Sequence, residues 1–575
     1  MSERLYDYMK ITDLKDMLKK SGDKFGNKIA YKLRIDKNKY RTITHKQVRE
    51  MVDALGTALI DMKLKNKRIA VIGENRYEWE IAYLSIVCGT GIVVPLDKSL
   101  PEPELASLIE RSEIEAIFYS KKYEESLKKI KLSGTSNLKH LISMDLTEHK
   151  DGIYSELELI EQGKKLIKNG NREFIDAKIN NEIMNIMLFT SGTTSASKIV
   201  ALSHKNICSN LMDLASVLDV NSDDIFLSFL PLHHVFECTV GFLFSLYIGA
   251  QTVFCDGIRH IVENMNEYKI SVMASVPAIY EGIYKIIRKK LDKQGKAELI
   301  RENKKLYINA SMEERKKIFK DIHDMLGGNV KLMISGAASL DATIENNFRA
   351  LGLNLVQAYG LTETSPVVAI GNKKYYKVGS IGKTLPSVEA KLDNIDKDGV
   401  GELVVKGPNI MLEYYGNKKA TKDSIIDNWF YTGDLAKIDE EGYIFIRGRK
   451  KSVIVLKNGK NIFPEEMENL VNKIEGVEES FIFGMQMSED VNDIKIFVKI
   501  IYNQETAENV YKVKGEENIY KKLCEQVKEI NQSMPKYKAI RGVLISQKPL
   551  IKTATNKIKR EKNLEVIIKE SKKNK

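Results

Sequence analysis

The sequence predicts an α/β protein, a largely parallel sheet system covered by helices, followed by a compact C-terminal unit. Three observations carry this. From Ala30 to Met144 short apolar runs alternate with helical periodicity, the β-α-β rhythm that feeds parallel strands. At 575 residues the chain is long enough for roughly two to four folding units. A charged segment, Arg447-Gly448-Arg449-Lys450-Lys451-Ser452, separates the body of the chain from a run that opens with a strand at Val453 to Leu456. Short charged segments between structured elements suit a linker between rigid bodies.

Ala30 to Arg34 and Tyr40 to Ile43 read as a β pair around Asp36-Lys37-Asn38. Thr44 and Gln47 form a capping box, after which Val48, Met51, Val52, Leu55, Leu59 and Met62 recur at helical spacing. Buried strands are expected at Arg68 to Gly73, Gly91 to Pro95, Glu115 to Tyr119 and Lys139 to Met144. Later ones are expected at Asp224 to Leu230, Gln251 to Cys255, Val330 to Ser335 and Asn354 to Ala358. The apolar run Thr239 to Phe254 is broken by Gly, Ser and Gln and is short for a bilayer. It reads as a buried helix and strand. Tyr280 to Leu326 is a charged helical stretch rich in Lys and Glu.

With 43% hydrophobic and 29% charged residues, the composition is that of an ordinary globular protein. Met1 to Lys20 lacks the apolar core of a secretory signal. Five cysteines without a C-x-x-C pair argue for reduced thiols and a cytoplasmic setting, against a disulfide frame or zinc site. The net charge of +12 is uneven: from Arg449 onward the chain holds 26 basic and 18 acidic residues. That excess suits an anionic partner such as nucleotide phosphates or an anionic membrane at its inner face. No aromatic-interleaved basic stripe accompanies it, so nucleic acid is not expected.

The densest chemical signal is Leu188-Phe189-Thr190-Ser191-Gly192-Thr193-Thr194-Ser195-Ala196-Ser197-Lys198. A strand ending in hydroxyls, backbone N–H groups and one lysine is built to hold phosphate oxygens. It is not a Walker loop, because no second glycine precedes Lys198 and Ile199 follows it.

Three further segments follow in order. They are Tyr359-Gly360-Leu361-Thr362-Glu363-Thr364; Trp429-Phe430-Tyr431-Thr432-Gly433-Asp434 with Gly442 to Arg449; and Pro549 to Arg560. Together the four segments resemble the adenylate-forming superfamily, most closely its long-chain fatty acid–CoA ligases, from about Tyr31 to Arg560. The resemblance implies a large N-terminal domain of mixed and parallel sheets over residues 1–448. A hinge at 449–452 and a small mobile α+β domain over 453–575 would follow. It also implies ATP and coenzyme A as co-substrates, Mg²⁺ as cofactor, and a fatty acid made into acyl-AMP and then acyl-CoA.

Carried onto this chain, the resemblance assigns the β- and γ-phosphates to Thr190, Ser191, Gly192, Thr193, Thr194 and Lys198. Glu363 becomes the Mg²⁺ ligand and Thr362 an α-phosphate contact. Gly336, Ala337, Tyr359 and Gly360 form the adenine slot, Asp434 binds the ribose hydroxyls, and Arg449 supports it. His234 lines the carboxylate site, and Lys557 bridges carboxylate and α-phosphate in the first step. Lys451 or Ser452 is the pivot, with a coenzyme A channel near Lys457 to Asn461. The apolar run Val240 to Ile248 is a candidate lining for the acyl chain, although packing accounts for most of it.

The chain departs from the family pattern in places. Ser195, Ser197 and Ile199 stand where the family has Gly, Pro and Gly, which stiffens the loop without removing its donors. Asn556 replaces a glycine, and asparagine best tolerates positive φ among the other residues. These departures motivate a reading from another class, a nucleotide-binding regulator without catalysis. The presence of Glu363, Asp434, Arg449 and Lys557 argues against it. A carrier-protein phosphopantetheine as thiol acceptor stays open beside coenzyme A, as does a homodimer.

Overall fold

The computed structural model describes all residues except 38, 191–196, 297, 299–308, 457–459, 487–493, 553–557 and 574–575, and the side chains of 571–573. Two large sheets form the body. The first contains, in spatial order, Glu413–Tyr414, Lys198–Leu202, Ile186–Thr190, Ile92–Pro95, Arg68–Ile72, Ala116–Tyr119, His140–Ser143 and Tyr154–Ser155. The second runs Lys383–Thr384, Val367–Ile370, Leu355–Gly360, Leu332–Ser335, Val272–Ser275, Ile225–Ser228, Gln251–Phe254, Ile29–Asp36 and Lys39–Thr44. Both are parallel in the middle and antiparallel where hairpins close them.

The alternation of side chains explains why these strands read as unbroken apolar runs. Ile69 and Val71 face a core shared with Ala274 and Ile334 of the second sheet, while Ala70 and Ile72 face an outer core. In the second sheet Met273 and Met333 point the other way, into a third core. Helices His45–Asp61 and His204–Val217 contribute to the shared core. Trp79 stacks on Tyr83 with ring centroids 5.6 Å apart, and Phe242 meets Tyr83 edge-on at 5.7 Å. Val240 to Ile248 is therefore core packing: Val240, Phe242 and Phe244 are fully buried in the shared core.

The capping box at Thr44 and Gln47 forms as expected, with Thr44 N–H donating to Gln47 Oε1 at 2.8 Å. Several expected strands differ by one or two residues at their ends, and two of the differences follow from pairing. The run at Asn354 extends to Gly360, because an antiparallel partner at Val367–Ile370 continues the ladder. The one at Val453 shortens to Ile454–Val455, which among the described residues pairs with Asn461–Ile462 alone.

A third, antiparallel sheet contains Glu389–Asp393, Gly401–Lys406, Trp429–Ile438, Ile425–Ile426 and Ile444–Arg449. Beyond it Val477–Gln486, Ile494–Tyr502 and Ile540–Ser546 make a three-stranded sheet with its own core, including Met467 and Leu523 from two covering helices. Arg560 opens the last helix and donates to Glu468 Oε2 at 2.6 Å. The end of the basic run thus holds the C-terminal helix in place. Among the described residues, no helix is long and apolar enough to cross a membrane.

Helices His45–Asp61 and Glu156–Lys168 cross at Gly163, where an added Cβ would stand 1.8 Å from the carbonyl oxygen of Ala54. Gly163→Ala gains about 1 kcal/mol of helix propensity but forces two backbones apart. Overpacking of that kind costs roughly 1–3 kcal/mol. Urea unfolding is expected to show net destabilisation; a more stable variant would mean the helices part freely.

Candidate active site

Ile186–Thr190 and Lys198–Leu202 form an antiparallel pair with Thr190 opposite Lys198. Ser191, Gly192, Thr193 and Thr194 lie outside the described residues, as does Ser195. The outgoing strand is held twice. Arg111 Nη2 donates to the Ser197 carbonyl at 2.8 Å, and the Lys198 ammonium lies 4.1 Å above the Tyr414 ring. Tyr414 is brought there by the short edge strand Glu413–Tyr414, which pairs it opposite Val200.

Strand Leu355–Gly360 of the second sheet delivers the next group. Gly360 is required by a close approach, since a Cβ there would stand 1.8 Å from the Pro366 carbonyl oxygen. A 3₁₀ turn, Thr362–Thr364, follows and leaves Thr362 and Glu363 half-buried. Glu363 Oε1 accepts the Tyr414 hydroxyl at 2.7 Å, and its carbonyl accepts Met411 N–H at 2.8 Å. Lys198 and Glu363, 165 positions apart in sequence, therefore meet on one tyrosine.

Asp434 sits on Trp429–Ile438, and the register of the third sheet sets it opposite Arg449. Its carboxylate is buried, accepting Arg449 Nε at 2.7 Å on Oδ1 and the Tyr359 hydroxyl at 2.6 Å on Oδ2. Arg449 reaches in from the surface, its side chain 48% exposed. Burial, reinforced by the adjoining carboxylate, pushes the Tyr359 phenol well above its ordinary range, so it stays a donor. The three residues read separately from sequence as adenine slot, ribose ligand and support form one hydrogen-bonded group.

His233 and His234 follow strand Ile225–Ser228, their ring centroids 4.3 Å apart. Burial first, then the neighbouring His234, depresses His233 to about 3, leaving it neutral. Gly336 is buried beneath this segment; a Cβ on it would lie 2.8 Å from the Phe236 ring. Ala337 follows exposed, with φ of 66°. These groups emerge at the carboxyl ends of parallel strands of the second sheet, Ile225–Ser228 and Leu332–Ser335, with Val272–Ser275 between them, the usual ligand edge of an open α/β sheet.

Lys450–Ser452 form a 3₁₀ turn directly after Arg449. Lys450 pairs at 2.6 Å with Glu402, a buried carboxylate that also accepts Gly433 N–H at 3.1 Å. Lys557 lies outside the described residues, as do Asn556 and Lys457 of the expected coenzyme A channel. Among the described residues, no group of three or more His, Cys, Asp or Glu side chains is gathered around a metal position. A single half-buried carboxylate fits Mg²⁺ that arrives with a triphosphate, because that ion keeps most of its water and takes one or two protein carboxylates.

The family model of the AMP-binding enzyme matches residues 18–415, and that of the AMP-binding enzyme C-terminal domain matches 451–570. The chain belongs to the AMP-binding enzyme family. Its relatives include long chain acyl-CoA synthetase 3 of Arabidopsis thaliana, 28% identical over 485 residues and covering 78% of this chain and 72% of that one. Long-chain-fatty-acid–CoA ligase 1 of Homo sapiens is 28% identical over 527 residues, covering 84% and 73%. Among solved structures, the anthranilate CoA ligase AuaEII in complex with anthranoyl-AMP superposes with a TM-score of 0.75 at 19% identity, covering 96% and 97%. ATP-bound MatB from Rhodopseudomonas palustris gives 0.74 at 22%, covering 96% and 99%. The α/β architecture expected from the sequence is thus the fold of AMP-binding enzymes.

Sequence reasoning missed Tyr414, Arg111 and Glu402 in this AMP-binding enzyme. Nothing local marks them, since each acquires its partner through strand pairing or helix packing. Glu237 was visible only as context for His234. It is fully buried, accepts the Ser228 hydroxyl at 2.6 Å, and faces Gly241, where a Cβ would lie 2.8 Å from its carboxyl. Burial raises its pKa from 4.5 to about 8, and the Ser228 bond opposes that only in part.

The folded chain therefore holds a proton that the unfolded chain releases above its ordinary carboxylate value. Stability falls as pH rises through that window, by about 1.4 kcal/mol per unit, and levels off above the folded value. Glu237→Gln cannot release the proton, so its stability relative to wild type should climb with pH from about 5 to 8 in urea unfolding. A constant difference would show that Glu237 is ionised throughout.

Proposed function

We propose that this AMP-binding enzyme activates a medium- or long-chain fatty acid and transfers it to coenzyme A. In the first step a carboxylate oxygen attacks the α-phosphorus of ATP, the bond to the β-phosphate bridge breaks, and pyrophosphate leaves. In the second the thiol sulfur attacks the acyl carbonyl, its proton goes to solvent, and AMP departs as the carbon–oxygen bond breaks. A carboxylate repels nucleophiles, whereas the mixed anhydride has a good leaving group, so charge must be neutralised chiefly in the first step.

The observation that carries the reading is the pair of tyrosine–carboxylate groups at the strand ends. Asp434 takes both Tyr359 and Arg449 where a ribose diol would be bound, and Tyr414 contacts both Glu363 and Lys198. In this reading Lys198 and Thr190 bind phosphate oxygens, Thr362 meets the α-phosphate, and Gly336, Ala337 and Gly360 leave room for the adenine. Glu363 holds Mg²⁺, which when bound offsets the charge of the leaving pyrophosphate. His234 orients the carboxylate. The named activity of relatives that cover most of this chain supports a fatty acid as substrate.

Pyrophosphate–ATP exchange across a panel of acids tests the reading. Each buried methylene adds about 0.8 kcal/mol, so exchange is expected to rise from acetate to dodecanoate or hexadecanoate. A peak on acetate or benzoate would move the substrate class, and no exchange with any acid would favour a non-catalytic nucleotide binder. Transfer to a carrier protein but not to coenzyme A would change the acceptor only.

Lys557 neutralises charge at the α-phosphate in the first step alone in this proposal, and the small domain 453–575 then rotates about Lys451 or Ser452. Lys557→Ala is expected to lower adenylation by about 10²–10³ while sparing thioester formation from supplied acyl-AMP. Proline at the pivot is expected to do the reverse. Equal loss of both half-reactions in Lys557→Ala, or full turnover with proline at both positions, would remove these assignments.

A further inference from the structure

We propose that Tyr414 is a positioning residue that sets the spacing between the cation-binding and anion-binding halves of the triphosphate site. The inference rests on the adenylating reading above and adds a residue that the family pattern of phosphate, metal and ribose contacts did not supply.

Three observations converge on this side chain. Its hydroxyl donates to Glu363 Oε1 at 2.7 Å, which fixes one carboxylate oxygen, as the hydrogen-bond partner of a metal-binding carboxylate would. Its ring lies under the Lys198 ammonium at 4.1 Å, a cation–π contact on the first described side chain of the outgoing strand with a full charge. Its backbone is fixed on both sides, by pairing opposite Val200 and by its N–H donating to Thr421 Oγ1 at 3.0 Å. Tyr414 is 4% exposed, so it cannot swing away from either partner without opening the sheet edge.

The chemistry of the arrangement is directional. A phenol can serve a carboxylate through its hydroxyl and a cation through its face at the same time. Lys198 and Glu363 carry opposite charges, yet the tyrosine stands between them. Each remains directed to its own part of a Mg²⁺–triphosphate.

The two contacts can be removed separately. Tyr414→Phe keeps the ring under Lys198 and loses the hydroxyl; Tyr414→Leu loses both. Calorimetric titration with ATP, without acid substrate, in saturating Mg²⁺ and again in EDTA reads the two effects apart from turnover. The expected result for Tyr414→Phe is a loss of roughly tenfold or more in Mg²⁺-dependent ATP affinity, with affinity in EDTA unchanged. Tyr414→Leu should weaken binding in EDTA as well. In a Glu363→Gln background, Tyr414→Phe should add no further loss.

Unchanged Mg²⁺ dependence in Tyr414→Phe, or additive losses with Glu363→Gln, would overturn the proposal. So would a Tyr414→Phe protein whose circular dichroism shows unfolding, since the hydroxyl would then be structural. Wild-type protein that binds Mg²⁺–ATP but exchanges pyrophosphate with no acid would refute the adenylating reading and leave the positioning role standing. Wild-type protein indifferent to Mg²⁺ would refute both.

Discussion

The buried carboxylate of Asp434 is the constraint around which the site is organised. A carboxylate that has lost its water needs charge-assisted partners, and a buried charge without them is strongly destabilising. Two of its partners come from different parts of the chain, Tyr359 from the end of a strand of the second sheet and Arg449 from the antiparallel strand beside Asp434's own. Meeting that need docks the third sheet against the second. It also places the start of the 3₁₀ turn at Lys450 beside the site, because Arg449 immediately precedes it.

The same logic recurs one turn further along. Four residues after Tyr359 the chain presents Glu363, and a second tyrosine, on the edge of the other large sheet, takes it up. Two tyrosine–carboxylate pairs therefore join the three sheets of the large body at one locus. Apolar packing builds each sheet and its shared core, but such packing is non-directional. These short hydrogen bonds supply the direction, and they do so at the strand ends where the nucleotide site is proposed.

Much of this fold was legible locally. The β-α-β rhythm located the parallel strands because strands buried on both faces leave continuous apolar runs, as at Arg68–Ile72 and Ile225–Ser228. The capping box at Thr44 and Gln47 was legible because its physics spans four residues. The division of those strands between two sheets was not, since nothing in an apolar run says which neighbour it will pair with. Val240 to Ile248 shows the limit for a site: a greasy run suits an acyl chain and a protein core equally, and the core took it.

By itself the sequence determined the kinds of chemistry available: a hydroxyl-rich loop ending in Lys198, a carboxylate in Tyr359-Gly360-Leu361-Thr362-Glu363, and Asp434 after a glycine turn. Residue type and short-range spacing are properties of the chain. The tertiary structure alone decided which of these groups touch and what holds them. Tyr414 and Arg111 lie 216 and 87 positions from the Lys198 strand's start and were silent until strand pairing and helix packing brought them to it. A carboxylate's partner is chosen by where backbones cross, and that crossing is a property of the packed sheets.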